Sequence, residues 1–418
     1  MTSASTAVGP VSSSERIFEM DALRGFALMG ILVINIQSFS MIMAALFNPT
    51  AYGDLTGLNK WVFQLSCTFA LMKFMAVFSM MFGAGIVLFT RRAEEKGLRS
   101  APLHYRRMLV LLLFGIAHAY LLWSGDILVW YALSALLIYL FRRISPKKLI
   151  IIGTIFIALP SLMMLAGGLS MPYWPEEAVR DLELEWRPVE DVVAGEVEAY
   201  RGGWLDQMEH RVPMSLKLHT FVFLIWAFWR AGGLMLVGMA LYKWGVITGA
   251  RSRAFYLVMM VVCFIVGFPL VIHGLNSNFE TGWDVTYSKF LGSQFNYWGS
   301  YFVALGYVAA VMLLCRSGFF KKLLRPLAAA GRMAFTNYLM QTIICTTIFY
   351  GHGFGLFGRA ERADQILIVF CVWAFQFVVS PVWLRYFRFG PFEWVWRSLT
   401  YKKSQPMRVG TQEQSSGG

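Results

Sequence analysis

The sequence predicts an all-α fold: a polytopic transmembrane helix bundle of about ten spans, with both termini cytoplasmic. Three observations carry that expectation. The 418-residue chain is 57% hydrophobic and 15% charged, against roughly 45–50% and 25% in soluble domains. Its apolar residues fall in long uninterrupted runs, and a bilayer core of roughly 30 Å takes about 20 helical residues to cross. Lys and Arg concentrate in alternate loops, which is the sign of a fixed orientation in a membrane. The runs lack the alternating pattern of barrel strands, and in lipid only a helix or a closed barrel satisfies its own backbone.

Taken in order, the spans are expected at 23–46, 62–90, 106–123, 126–141, 148–170, 219–242, 254–274, 297–314, 332–350 and 365–387. The second is too long for a simple crossing, so its first part is expected to tilt or to lie at the interface. Residues 1–15 are polar, lack the basic and apolar regions of a signal peptide, and are read as a disordered cytoplasmic tail. A five-helix half over 16–170 and a second over 219–401 flank the segment 171–218, and 402–418 is read as a second disordered tail. The segment 171–218 holds five Lys and Arg but eleven Asp and Glu, so it is placed outside the cytoplasm. There Trp186, Val189, Val192, Val193, Val197 and Tyr200 alternate with acids, which suits a helix on the membrane surface or a cap over the bundle. The loops 91–107, 142–148, 243–253 and 316–325 and the C-terminal region are basic. Assigning them to the cytoplasm puts both ends inside, as an even number of crossings independently requires.

The formal charge of +13 is explained by this positive-inside bias, with attraction to anionic lipid as a secondary effect. No basic face interleaved with aromatics appears, so the lipid bilayer and not nucleic acid is the expected partner. The five cysteines show no CxxC or Cys/His spacing, so neither zinc nor a disulfide framework is expected.

Polar residues inside apolar spans are the candidates for chemistry. Asp21 and Arg24 stand i, i+3 at a helix start and can pair. Asn35 lies deeper in the first span, as helix glue or as a substrate contact. Lys73 and Arg230 sit inside the second and sixth spans. Two buried cations facing one cavity would hold an anion, while pairing with structural acids is an equally simple alternative. His118 and Asp126 are separated by one turn of chain, so the carboxylate could orient the imidazole as a general base. Equally, Asp126 could cap the next helix while His118 bonds a carbonyl. Thr336, Asn337 and Gln341 share one face of the ninth span and must hydrogen-bond within the bundle. Trp394, Trp396 and Arg397 suit a helix at the inner interface.

The motifs DALRGFALMGILVINI, KFMAVFSMMFGAGI, FGIAHAYLLWSGDILVWYAL, GRMAFTNYLMQTIICTTIFY and GPFEWVWR together resemble the YeiB-type bacterial multi-pass membrane proteins, a domain family of unknown function. The resemblance covers most of 16–401 and implies a location in the bacterial inner membrane. The opening motif is also similar to that of transmembrane acyltransferases of the heparan-glucosaminide acetyltransferase group. That similarity implies that Asn35 lies near an acyl-transfer site. The group's catalytic His follows that Asn in the first outer loop, whereas this chain has no His between Asn35 and His104. His118 would have to take its place.

Two functions follow as expectations. One is an acyltransferase-like enzyme, with no resident cofactor, that takes acyl-CoA as donor and modifies a glycan or lipid at the outer face. His118 and Asp126 would act as base, with Asn35, Lys73, Arg230, Asn337 and Gln341 as binding residues. The other is a transporter of a small anionic or amphipathic solute that uses the same cations.

Overall fold

A computed structural model describes residues 16–409. The expected spans are largely helical, with breaks after Ser40 in 23–46 and after Phe69 in 62–90, and among the described residues the only strand-like pairing is one isolated bridge between Phe387 and Arg408. The protein is an all-α bundle.

The first long helix, α1 (Phe18–Ser40), opens with Asp21 and Arg24, whose side chains pair at 2.9 Å. A short α2 (Met43–Phe47) follows. The overlong second stretch resolves into α3 (Gly57–Phe69) and α4 (Lys73–Glu95). Met72, with φ +68° and so in the left-handed region, breaks the rod between them. Next come α5 (Ser100–Leu121), α6 (Leu128–Ile138), continued by a 3₁₀ turn over Tyr139–Arg143, and α7 (Pro146–Ser170). The acidic segment forms α8 (Glu176–Trp186) and α9 (Glu190–Arg201). One long rod then joins α10 (Met208–Lys217), a π-helical stretch Leu218–Ala227 and α11 (Phe228–Lys243). The chain continues through α12 (Arg253–Glu280), a second π-helical stretch Thr286–Gly292 leading into α13 (Ser293–Arg316), and the short α14 (Gly318–Leu323) and α15 (Arg325–Arg332). It ends with α16 (Ala334–Phe349), α17 (Arg362–Tyr386) and α18 (Pro391–Tyr401).

Seven of these rods are long and apolar enough to cross a bilayer: α1, α3 with α4, α7, α10 with α11, α12, α13 with its π-helical lead, and α17. The other three expected spans are shorter or more polar. Helix α5 carries His104, Arg106 and Arg107 in its first half, α6 has 11 residues, and α16 has 16. At 1.5 Å per residue α16 reaches about 24 Å, less than a full bilayer core.

Side-chain contacts gather the loops into two sets. At one end Trp186 donates to the Trp283 carbonyl, Asn48 to the Trp186 carbonyl, and Arg211 to the carbonyls of Leu121 and Leu122. The Gly351 amide donates to the Tyr200 carbonyl. Thus α8 and α9 cap this end of the bundle. At the other end Arg106 donates to the Thr400 carbonyl, Lys243 to Ile144 and Arg316 to Gly249, while Arg143 faces Glu94 at 3.4 Å. Lys321 there lies over the Phe18 ring, so the described chain starts and finishes at the same, basic end.

Close approach of α1 and α15 depends on two glycines. A Cβ on Gly25 would stand 2.0 Å from the Leu327 carbonyl oxygen, and one on Gly331 1.9 Å from that of Asp21. Residues 402–409, expected within a disordered tail, instead return against the end of α17, where Arg388 N–H donates to the Met407 carbonyl and Val409 N–H to Tyr386. The expected tail 1–15 and residues 410–418 lie outside the described residues.

Candidate functional site

His118 stands on the last turn of α5, and the loop after it carries Asp126 to the start of α6. Gly115 permits this proximity, since a Cβ there would meet the Val129 nitrogen at 2.7 Å. Asp126 does both things the sequence allowed. Its Oδ2 accepts the Val129 N–H at 2.7 Å and so caps α6, while its Oδ1 lies 2.7 Å from His118 Nδ1. With Asp126 accepting the Nδ1 proton, Nε2 is left as an acceptor. There α16 places Thr342, with Oγ1 2.9 Å from Nε2. The three side chains form one chain, carboxylate to imidazole to hydroxyl, assembled from α5, the α6 entry and α16. Their residues are 2%, 2% and 1% exposed. A hydroxyl bonded to an imidazole that a carboxylate orients is the arrangement that activates a nucleophile.

Aromatic rings wall this relay. Tyr338 lies 5.2 Å from the His118 ring and Trp123 6.2 Å, and the Trp123 Nε1 is buried without an acceptor. Trp123 in turn lies 4.1 Å from Phe39 of α1. Asn35 is one turn before Phe39 and so shares its face; its side chain is half-buried and makes no hydrogen bond among the described residues. The structure therefore turns the Asn35 face of α1 towards the His118 cluster. Sequence reading missed Thr342, because a threonine in an apolar helix ordinarily bonds its own preceding turn. Its four-residue spacing from Tyr338 was the available signal.

Lys73 and Arg230 are fully buried. Lys73 Nζ donates to the Cys67 carbonyl at 2.7 Å and to Asn296 Oδ1 at 2.5 Å. Arg230 Nη2 donates to the Tyr297 carbonyl at 3.2 Å and to Ser300 Oγ at 2.8 Å, with its guanidinium 4.0 Å from the Tyr297 ring centroid. Both cations thus fasten to neighbouring turns of α13. Among the described residues neither meets a carboxylate, contrary to the structural-acid alternative. A cation at mid-bilayer costs about 2.5–3.5 kcal/mol on insertion scales.

Two cavities open at opposite ends. One of about 540 Å³ at the basic end is lined by Arg91, Glu94, Arg142, Arg143 and Lys243. The other, about 890 Å³, lies between the end of α7, α8 and the π-helical lead of α13, and is lined by Leu165, Leu169, Trp174, Glu176, Tyr287 and Phe290.

A family model described as a protein of unknown function, DUF418, matches residues 241–403. Along nearly the full length, the chain is 33% identical to the uncharacterized protein YxaH of Bacillus subtilis (strain 168), covering 96% of this chain and 98% of that one. It is 31% identical to the uncharacterized protein YeiB of Escherichia coli (strain K12), covering 94% and 98%. The chain belongs to the YeiB-type DUF418 family. A further relative, an uncharacterized 39.9 kDa protein in the amylase 3' region of Bacillus acidopullulyticus, is 28% identical over 95% and 97% of the two chains.

The DUF418-matched region supplies Thr342 to the relay and Asn296 and Ser300 to the two cations; His118, Asp126, Lys73 and Arg230 come from the preceding part. It also contains Asn337 and Gln341, expected as binding residues. Asn337 Nδ2 donates to the Ala330 carbonyl and to Ser380 Oγ, and Gln341 Nε2 donates to Gln376 Oε1 at 3.0 Å. Gln376 returns a bond to the Asn337 carbonyl. Apart from the unpartnered Asn337 Oδ1, these amides hold α16 to α17. Thr336 on the same face serves Glu393 of α18, a residue the sequence reading passed over. The buried Glu393 carboxylate accepts the Phe335 and Thr336 N–H groups and the Thr336 hydroxyl, and so caps α16 from a different helix.

Proposed function

We propose that this DUF418 protein is a membrane-embedded acyl-transfer enzyme of the bacterial inner membrane, acting on a glycan or lipid hydroxyl at the outer face. The single observation that supports this is the hydrogen-bonded chain Asp126–His118–Thr342. In this reading Thr342 Oγ1 attacks the donor carbonyl and passes its proton to His118 Nε2, which delivers it to the leaving group. The acceptor hydroxyl then attacks the Thr342 ester, gives its proton to Nε2, and the Thr342 hydroxyl is restored. Asp126 keeps Nδ1 protonated and stabilises the imidazolium of each step. The basic cavity beside Arg91, Arg142, Arg143 and Lys243 suits the phosphates of a cytosolic donor such as acyl-CoA. Because the relay is buried, an acceptor from the outer face would reach it by opening of the Leu122–Ile127 loop that carries Asp126.

The test is intact-mass analysis of the purified protein after incubation with isotopically labelled acyl thioesters. One acyl mass should appear on wild type, map to Thr342, and vanish in Thr342→Val and His118→Ala. Labelling of wild type and both variants alike would refute the reading. A second reading, transport of a small anionic or amphipathic solute, is favoured by the carboxylate-free cations. Proteoliposome uptake that survives His118→Ala but not Arg230→Gln would select it.

A further inference from the structure

Arg230 and Lys73 have no carboxylate against them among the described residues. Both bind α13 within about one turn, at Asn296, Tyr297 and Ser300. Like charges in a low-dielectric interior repel strongly. Nη2 of Arg230 is satisfied and the guanidinium lies against the Tyr297 ring, but Nε and Nη1 are buried with no hydrogen-bond acceptor among the described residues. An arginine cannot shed its proton to escape this.

One helix starts beside the pair, and the two rods that face it change winding nearby. Helix α4 begins at Lys73, just after the break at Met72. The π-helical stretch Leu218–Ala227 gives way to regular helix three residues before Arg230, and Thr286–Gly292 does so four residues before Asn296. Arg230 is thirteen residues from Lys243 at the basic end, or about 20 Å of helix, which places the pair near mid-depth. The start of α4 at Lys73 carries a partial positive charge, and a helix that begins at mid-membrane is a recurrent part of sites for anions.

We infer that a small oxyanion, either free or as the phosphate of a lipid head group, binds between Lys73 and Arg230 at the junction of α4, α11 and α13. It would accept from Arg230 Nε and Nη1 and neutralise the pair. This site is separate from the relay and stands whether or not the relay is catalytic.

The experiment uses the full-length protein, delipidated in a neutral detergent, with thermal unfolding followed while inorganic phosphate replaces a bulky sulfonate buffer at constant ionic strength. Native mass spectrometry before delipidation reports any retained phospholipid. The wild-type Tm should rise saturably, by several °C as phosphate reaches about a hundred times its Kd, or a phospholipid should be retained. The first result identifies a free anion and the second a head group. Arg230→Gln and Lys73→Gln should abolish whichever signal is seen, while His118→Ala keeps it. Without phosphate, Lys73→Gln should match or exceed wild type in Tm, because it removes an uncompensated charge. A merely structural lysine would lose stability instead. If Arg230→Gln fails to fold, Lys73→Gln and Ser300→Ala provide the comparison. The inference is overturned if wild type shows neither signal, or if the variants keep it undiminished.

Discussion

Helices α4 and α11, which carry Lys73 and Arg230, touch backbone to backbone, and that contact can be perturbed by one methyl group. A Cβ on Gly83 would lie 1.9 Å from the Met235 carbonyl oxygen, and one on Gly238 1.9 Å from the Met80 carbonyl oxygen. Ordinary carbon–oxygen contacts begin near about 3.3 Å. Either Gly→Ala change must therefore part the helices by roughly 1.4 Å, and the obstacle is a carbonyl that cannot rotate away. Overpacking of this kind costs about 3 kcal/mol, the upper part of the usual range. Gly83→Ala and Gly238→Ala should each lower Tm in detergent by roughly 3–4 °C, given the unfolding entropy of a chain of this length. They act on one crossing, so the first opens space for the second, and the double variant should fall short of the sum by about 1 kcal/mol or more. Differential scanning fluorimetry of the four proteins is sufficient. A single variant within about 1 °C of wild type, or strict additivity, would refute the close-packing argument and with it the fixed spacing of the two cations.

Glu393→Gln should weaken the cap on α16 by about 1.5–3 kcal/mol, as for hydrogen bonds to a charged group, and hydrogen exchange at Phe335 and Thr336 should accelerate; unchanged exchange there would deny the cap. Gln341→Leu together with Gln376→Leu should cost less than the two single changes added, because each single change strands a buried amide; a double variant worse than the sum would contradict the interhelical role. In α9, burial pushes the Glu196 carboxyl up from its ordinary value, with the Met43 N–H bond opposing it. A raised folded-state pKa means that its stabilising contribution is complete below the ordinary carboxylate value and is lost as pH rises through the shifted one. Exchange protection of Glu190–Arg201, corrected for intrinsic rates, should therefore be greater near pH 4 than near pH 7.5. Glu196→Gln should flatten that difference, and an opposite slope would reject the assignment.

The bundle was legible because its signal is physical and redundant: each long apolar run has no way to hide its backbone except as helix. Even the break in the second stretch announced itself as excess length. What stayed hidden was pairing across distance in sequence. His118 and Asp126 are eight residues apart and their contact could be anticipated, but Thr342 joins them from 224 residues away. Glu393 is similar, since its function is to cap a helix some sixty residues earlier in the chain. Asn337 and Gln341 show the converse: their shared face was readable, while only the structure reveals that they donate to Ser380 and Gln376 of α17.

The contact pattern sorts charge without reference to any membrane. Loops that carry Arg91, Arg142, Arg143, Lys243 and Arg316 interlock at one end, where Phe18 begins and Thr400 nearly ends the described chain. The acid-rich α8 and α9 close the other. Under the positive-inside bias the first end would face the cytosol. The relay sits one turn from the loop that Arg211 ties to the acidic end, while the cation pair lies deeper. A substrate arriving from outside would meet Asp126, His118 and Thr342 first, and an anion held by Lys73 and Arg230 would lie between that relay and the basic cavity. If the anion is the head of a donor or a transported solute, the two sites are successive stations on one path. If Cys-accessibility labelling places α8 and α9 in the cytosol, that order reverses, and an outer-face acceptor is no longer compatible with the relay.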